Sequence, residues 1–334
     1  MRPIFAGLLV IAAAGILPAQ PRAKDLSKAV KLGVQAPGVQ IPFQKLKPEA
    51  EFSFEGSPAS LLIDQSILVA NPARNTLERI DPKANKLIEP ISELNKPCGN
   101  PQSGFGSVWI LNCGDGTLAR IDGKTGKVSK TIKTGADNVR AGLATSADSI
   151  WIFTDGKTTL SRIDPAENRV VAEMRLPAGC NSMTFGEMSL WITCPQENRV
   201  LRVDPNLNVV SQRIEVSAEP YAISAGEGSV WVYCKKEAKV ERIDPKTNKV
   251  SKTIEVGVPN GDADIVVGEG SVWLSMPGFP VTRIDPKSDK VAQQFVGDGG
   301  GFIRTSQGAV WVTNVKQGTV WRIDPRRILA TLAD

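Results

Sequence analysis

The sequence predicts an all-β chain, a seven-bladed β-propeller with four antiparallel strands per blade, on three observations. Beyond residue 56 the chain restates itself about every 40 residues, a period typical of propellers and solenoids. Trp109, Trp151, Trp191, Trp231, Trp273 and Trp311 open one phrase (SVWILN, SIWIFT, SLWITC, SVWVYC, SVWLSM, AVWVTN), and Leu68 of SILVAN fills the slot in an earlier copy, making seven. About 11 residues after each slot comes RIDP, RIDG or RVDP. Between these anchors lie short alternating, β-branched segments bounded by turn residues, the signature of antiparallel strands. Radial closure of such small sheets protects their edges.

Taken in order, residues 1–19 read as a secretory signal: Met1-Arg2-Pro3, an apolar run from Ile4 to Leu17, then Pro18-Ala19-Gln20, with cleavage expected after Ala19. That run falls short of the roughly 20 apolar residues of a membrane helix. The expectation is therefore a periplasmic or secreted protein with no integral membrane segment in its mature chain, an uncleaved anchor being the alternative. Residues 20–50, with Pro37, Pro42 and Pro48, read as an extended leader. Residues 51–334 hold the propeller. In each blade strand A precedes the Trp, B carries it, C ends in RID and D is of the KVSKTI type. EFSFEG (51–56) matches a D strand, so it is preferred as the strand completing the last blade beside TVWRID, with RILATLA (327–333) competing for that place.

The chain has 334 residues, 41% hydrophobic, 22% charged and 6% aromatic, a globular balance. It contains no histidine, which excludes Ser-His-Asp and Cys-His catalysis, histidine bases and histidine-held zinc or haem. The net charge of +5 is small and its basic residues are scattered, so nucleic acid is not an expected partner. Each RID corner has a local explanation. The Asp can accept from backbone amides in an Asx turn, Pro presets φ for the next position, and Asn85, Gly126, Asn168, Asn208, Asn248 or Asp289 tolerates the left-handed conformation about four residues later. The Trp ladder reads the same way, as packing between blades with an indole N–H to satisfy.

The phrases GEGSVWV and RIDPKTNKVSKTI resemble the YVTN family of propeller repeats and the related streptogramin (virginiamycin B) lyase propellers, over about residues 51–330. The resemblance implies the fold more strongly than any function. Blades of the lyases carry a catalytic His 11 residues before the Trp and a Glu 3 residues after it. Here those paired places hold Ser57 and Asn71, Cys98 and Asn112, Arg140 and Thr154, Cys180 and Cys194, Pro220 and Cys234, Asp262 and Met276, and Gly300 and Asn314. No copy keeps His or Glu, so that chemistry is not expected.

Cys180 and Cys194 stand at facing places of one A/B hairpin, and Cys98 with Cys113 repeats the arrangement two blades earlier, so two hairpin disulfides are expected. Cys234 is left over, a buried inert thiol being the expected state and intermolecular pairing or a reactive thiol the alternative. Function is sought where blades differ, in the D–A and B–C loops around the channel mouth. Candidate ligand-binding residues there are Asn100, Asn138, Arg140, Asn181, Tyr221, Asp262 and Asp264, with Asn260, Lys235 and Lys236 nearby. Asp262 and Asp264 with facing Asn side chains could also hold a calcium or magnesium ion, as gluconolactonase-like propellers hold theirs. The leading expectation is a monomeric, non-catalytic scaffold without a cofactor, binding a small molecule, glycan or protein. The competing class is a divalent-metal-dependent hydrolase or lyase on the same face.

Overall fold

The computed structural model describes residues 32–136, 142–155, 158–306 and 308–331. Seven sheets stand in a ring, each ordered A, B, C, D from the channel outward. Blade 4 is representative: Ser182–Gly186, Ser189–Cys194, Arg199–Asp204 and Val209–Glu215 pair antiparallel in sequence order. Every B strand is buried along its whole length, as a strand covered on both faces must be. The D strands face solvent at the rim and alternate exposed residues, many of them Lys, with half-buried ones.

The last blade is completed from the other end of the chain. Ala50–Ser53 pairs antiparallel with Thr319–Ile323, and Phe52 lies 6.1 Å from the Trp311 ring. The rival segment forms a helix instead, Pro325–Ala330. Its cause is one residue. In six corners the position four after the Asp is left-handed, at Asn85, Gly126, Asn168, Asn208, Asn248 and Asp289. After Asp324 that position is β-branched Ile328, which resists a positive φ, so the capping Asp and Pro325 start a helix rather than a hairpin.

The corners also lock neighbouring blades. Asp164 accepts from the Ala166 and Glu167 amides, and these backbone donors hold its carboxyl below its usual value. Arg120 of blade 2 stacks 4.9 Å from Trp109 and donates to Pro165 O and Asn168 Oδ1 of blade 3. Arg162, Arg202, Arg242 and Arg322 repeat this latch onto Asn208, Asn248, Asp289 and, across the ring closure, Asn85. It is missing where the next corner lacks the acceptor, at Gly126 and at the terminal helix. The orphaned Arg283 turns to Gln293 and Ser271 inside its own blade.

The six repeat tryptophans are at most 1% exposed. The indoles of Trp109, Trp191 and Trp273 donate to the carbonyls of Gly104, Gly186 and Gly268, five residues earlier. These glycines are also points of close approach: a Cβ at Gly186 would stand 2.4 Å from Ala225 of the next A strand. Blade 3 has Ser146 in this slot, and its hydroxyl takes the Trp151 N–H.

Blade 6 carries a fifth strand. Gln40–Pro42 runs parallel to Gln294–Val296 at its rim. The amide of fully buried Gln294 accepts from Val34 N and donates to Val256 O. The covered D strand reads KVAQQFV instead of KVSKTIE, having exchanged rim lysine for neutral side chains.

Candidate functional site

The D–A and B–C loops share one face around the channel, and both disulfides brace it. Cys98–Cys113 and Cys180–Cys194 form, with Cα atoms 5.9 and 4.0 Å apart. Cys234 is buried, and burial pushes its thiol pKa far up, so it is held as the neutral thiol. Beside it Tyr233, also raised by burial, donates to Val258 O and Gly261 O and so fixes the loop carrying Asp262.

The sequence-derived candidates separate into three groups. Asn138 and Arg140 lie outside the described residues. Asn181 belongs to its hairpin: its N–H reaches Thr193 O and its Oδ1 accepts from Thr193 Oγ1 at 2.7 Å. Tyr221, Lys235 and Asp262 gather at the rim, where the Lys235 ammonium lies 5.1 Å from the Tyr221 ring and 2.7 Å from Asp262 Oδ1. Asn100 and Asp264 stand deeper, on the wall of a channel cavity of about 130 Å³. Asp264 Oδ2 accepts from Ile303 N at 2.9 Å and from Arg304 Nη1.

The two acids therefore face different cations, Lys235 and Arg304. Among the described residues no three His, Cys, Asp or Glu side chains converge as metal ligands. The cavity combines apolar Leu143, Met183, Ile223 and Ile265 with polar Gln102, Ser182, Thr184, Ser224 and Arg304. Ser224 Oγ accepts from Val267 N.

Arg304 is the functional candidate that the motif reading missed. It sits opposite Trp311, the place held by Gln102, Ala144, Thr184, Ser224 and Val266 in blades 2 to 6. Aligning the blades column by column would have exposed it as the one charge at that level. A wider open groove of about 400 Å³ lies toward the C–D turns between blades 2 and 3, lined by Arg120, Asp122, Lys130 and Asn168. It is built on the latch residues and follows the RIDG corner, where Gly123 replaces the proline of the other corners.

These features define a seven-bladed β-propeller whose channel holds a polar, ion-paired cavity. The chain is similar to solved virginiamycin B lyase structures. A selenomethionine-substituted virginiamycin B lyase from Staphylococcus aureus matches with TM-score 0.70 and 17% identity, over 82% of this chain and 98% of that one. A streptogramin B lyase structure matches with TM-score 0.69 and 17% identity, over 81% and 95% of the two chains. A catalytically inactive virginiamycin B lyase from Staphylococcus aureus with quinupristin gives TM-score 0.70 and 16% identity, over 82% and 98%. At these identities the likeness establishes the fold. No protein-family model matches the chain, and no curated protein matches it.

Proposed function

We propose that this protein is an exported, non-catalytic binding propeller that takes its ligand or partner on the D–A/B–C loop face around the channel. One observation carries this reading: the two candidate carboxylates at that face are each bonded to a cation, Asp264 to Arg304 and Asp262 to Lys235. Each of these carboxylates already spends an oxygen on its cation, and the chain has no histidine to serve as base. The two disulfides are compatible with an oxidising compartment. Among the described residues no helix is long and apolar enough to cross a membrane.

A metal-dependent hydrolase or lyase is the second reading, favoured by the likeness to the lyase structures and by the carboxylates at the mouth. Thermal unfolding with chelator, then with calcium, magnesium, manganese or zinc restored, separates the two. A native-state ligand at about 100 times its Kd adds about 2.7 kcal/mol, several degrees for a chain of this size. The binding reading expects a melt indifferent to chelator and metal. A reversible metal shift that vanishes in Asp262→Ala or Asp264→Ala moves the protein to the metal-dependent class.

A further inference from the structure

We infer that the channel cavity binds a small zwitterion of α-amino-acid size, its carboxylate on the Arg304 guanidinium and its ammonium on the Asp264 carboxylate. The inference rests on the binding reading above and names the ligand class for the deep part of the same face. The walls of the cavity are chemically unequal. On the blade 6 and 7 side stands the Arg304–Asp264 pair, its side chains only 18% and 13% exposed. Facing it from blades 2 and 4 are Asn100, Gln102, Ser182 and Thr184, whose side chains hydrogen-bond to no other described residue. Their open hydrogen-bonding capacity on the cavity wall is available to a bound polar molecule.

Charge selects among the candidates. A lone anion or cation would compete for one member of the pair and leave the other's charge uncompensated in a confined site. A zwitterion extends the pair at both ends: Asp264 Oδ2 is occupied by Ile303 N and Arg304, leaving Oδ1, and Arg304 engages through Nη1, leaving Nη2. Both new contacts are charge-assisted. A neutral polyol would gain no charge-assisted bond to match them, and among the described residues no aromatic ring lines the cavity for a sugar face to stack on. The volume, about 130 Å³, suits a handful of heavy atoms. For so few atoms the affinity ceiling lies in the micromolar range, so titration to about 10 mM spans the useful window.

The test is calorimetric and thermal titration of the full protein with glycine, L-alanine and L-serine, alongside acetate, ethanolamine and glycerol. Saturable binding of the zwitterions with no response to the three controls is expected. Arg304→Gln combined with Asp264→Asn removes both charges at nearly constant shape and should weaken binding at least about tenfold. If that pair does not fold, Ser182→Ala and Thr184→Val take its place, each expected to weaken binding about threefold. No response to any zwitterion, an equal response to acetate or glycerol, or unchanged binding in these variants overturns the inference. If no zwitterion binds while a different molecule binds at Tyr221, insensitive to the Arg304 and Asp264 changes, the inference falls and the scaffold reading stands. Ester or lactone turnover lost in Asp264→Ala would overturn both.

Discussion

The two faces of the ring follow opposite rules. At the C–D turns each blade does nearly what the last one does: an Asp caps the corner, a left-handed Asn, Asp or Gly follows, and an Arg from the blade before reaches over. At the loop face the blades diverge, and two of them are held by disulfides. A residue repeated in every blade serves the scaffold, whereas one that occurs once, such as Arg304, answers to something outside the repeat. The contrast separates stability from binding by position alone.

The largest expected effect lies on the irregular face. Replacing Cys180 and Cys194 together by Ala opens a loop of sequence separation 14, worth about 3 kcal/mol in the chain-entropy model. Its unfolding midpoint should fall by several degrees, measured by calorimetry. Without reductant, the denatured native protein should titrate as a single thiol, Cys234, and five thiols would contradict both bridges.

A smaller effect tests the regular face. Asn208 and Asn260 have nearly equal positive φ, 54° and 58°, but only Asn208 receives a neighbouring Arg. Asn208→Gly should cost about 0.5–1.5 kcal/mol for the lost Arg162 contact. Asn260→Gly should stay within a few tenths, since glycine keeps its conformation. Equal losses in urea titrations would dissolve the distinction between the faces.

The smallest effect is in pH. Backbone amides hold Asp81, Asp122 and Asp164 below their ordinary values, and Lys246 N does the same for Asp244. A carboxyl depressed by folding contributes stability that is complete above its unfolded pKa of about 3.9 and is lost as pH falls through the folded value. Midpoints should therefore decline below about pH 4. Between pH 5 and 8 no imidazole titrates, so the curve should be nearly flat there. Asp244→Asn keeps an Asx acceptor and should soften the acid limb only slightly.

The fold was legible because its anchors are local: Trp spacing, the Asp corners and the alternation of short strands all report backbone geometry within a few residues. Closure by EFSFEG was legible for the same reason. The site was harder. Bulges between Cys98 and Gln102 and between Pro220 and Ala222 break the A-strand register, so a count of residues from Trp does not fix where Asn100 and Tyr221 point. Arg304 lies 40 residues from Asp264, and their meeting depends on the next blade's placement rather than on any nearby motif. The strap on blade 6 had a signal, the Gln293-Gln294 pair in KVAQQFV where KVSKTIE has Lys252-Thr253, that only acquires meaning once Gln40–Pro42 is seen against it.

The strand that completes blade 7 joins residues near 50 to residues near 320, the longest-range pairing in the ring. A ribosome delivers the first partner some 270 residues before the second. Until then Phe52 has no Trp311 to cover, and Arg322 has no hold on Asn85. Such a non-local step is slow compared with hairpin formation. Closing the circle is thus the least local strand pairing the fold demands, and a molecule lacking either partner strand would keep an open seam flanked by unpaired β-edges, the kind of surface that recruits other chains.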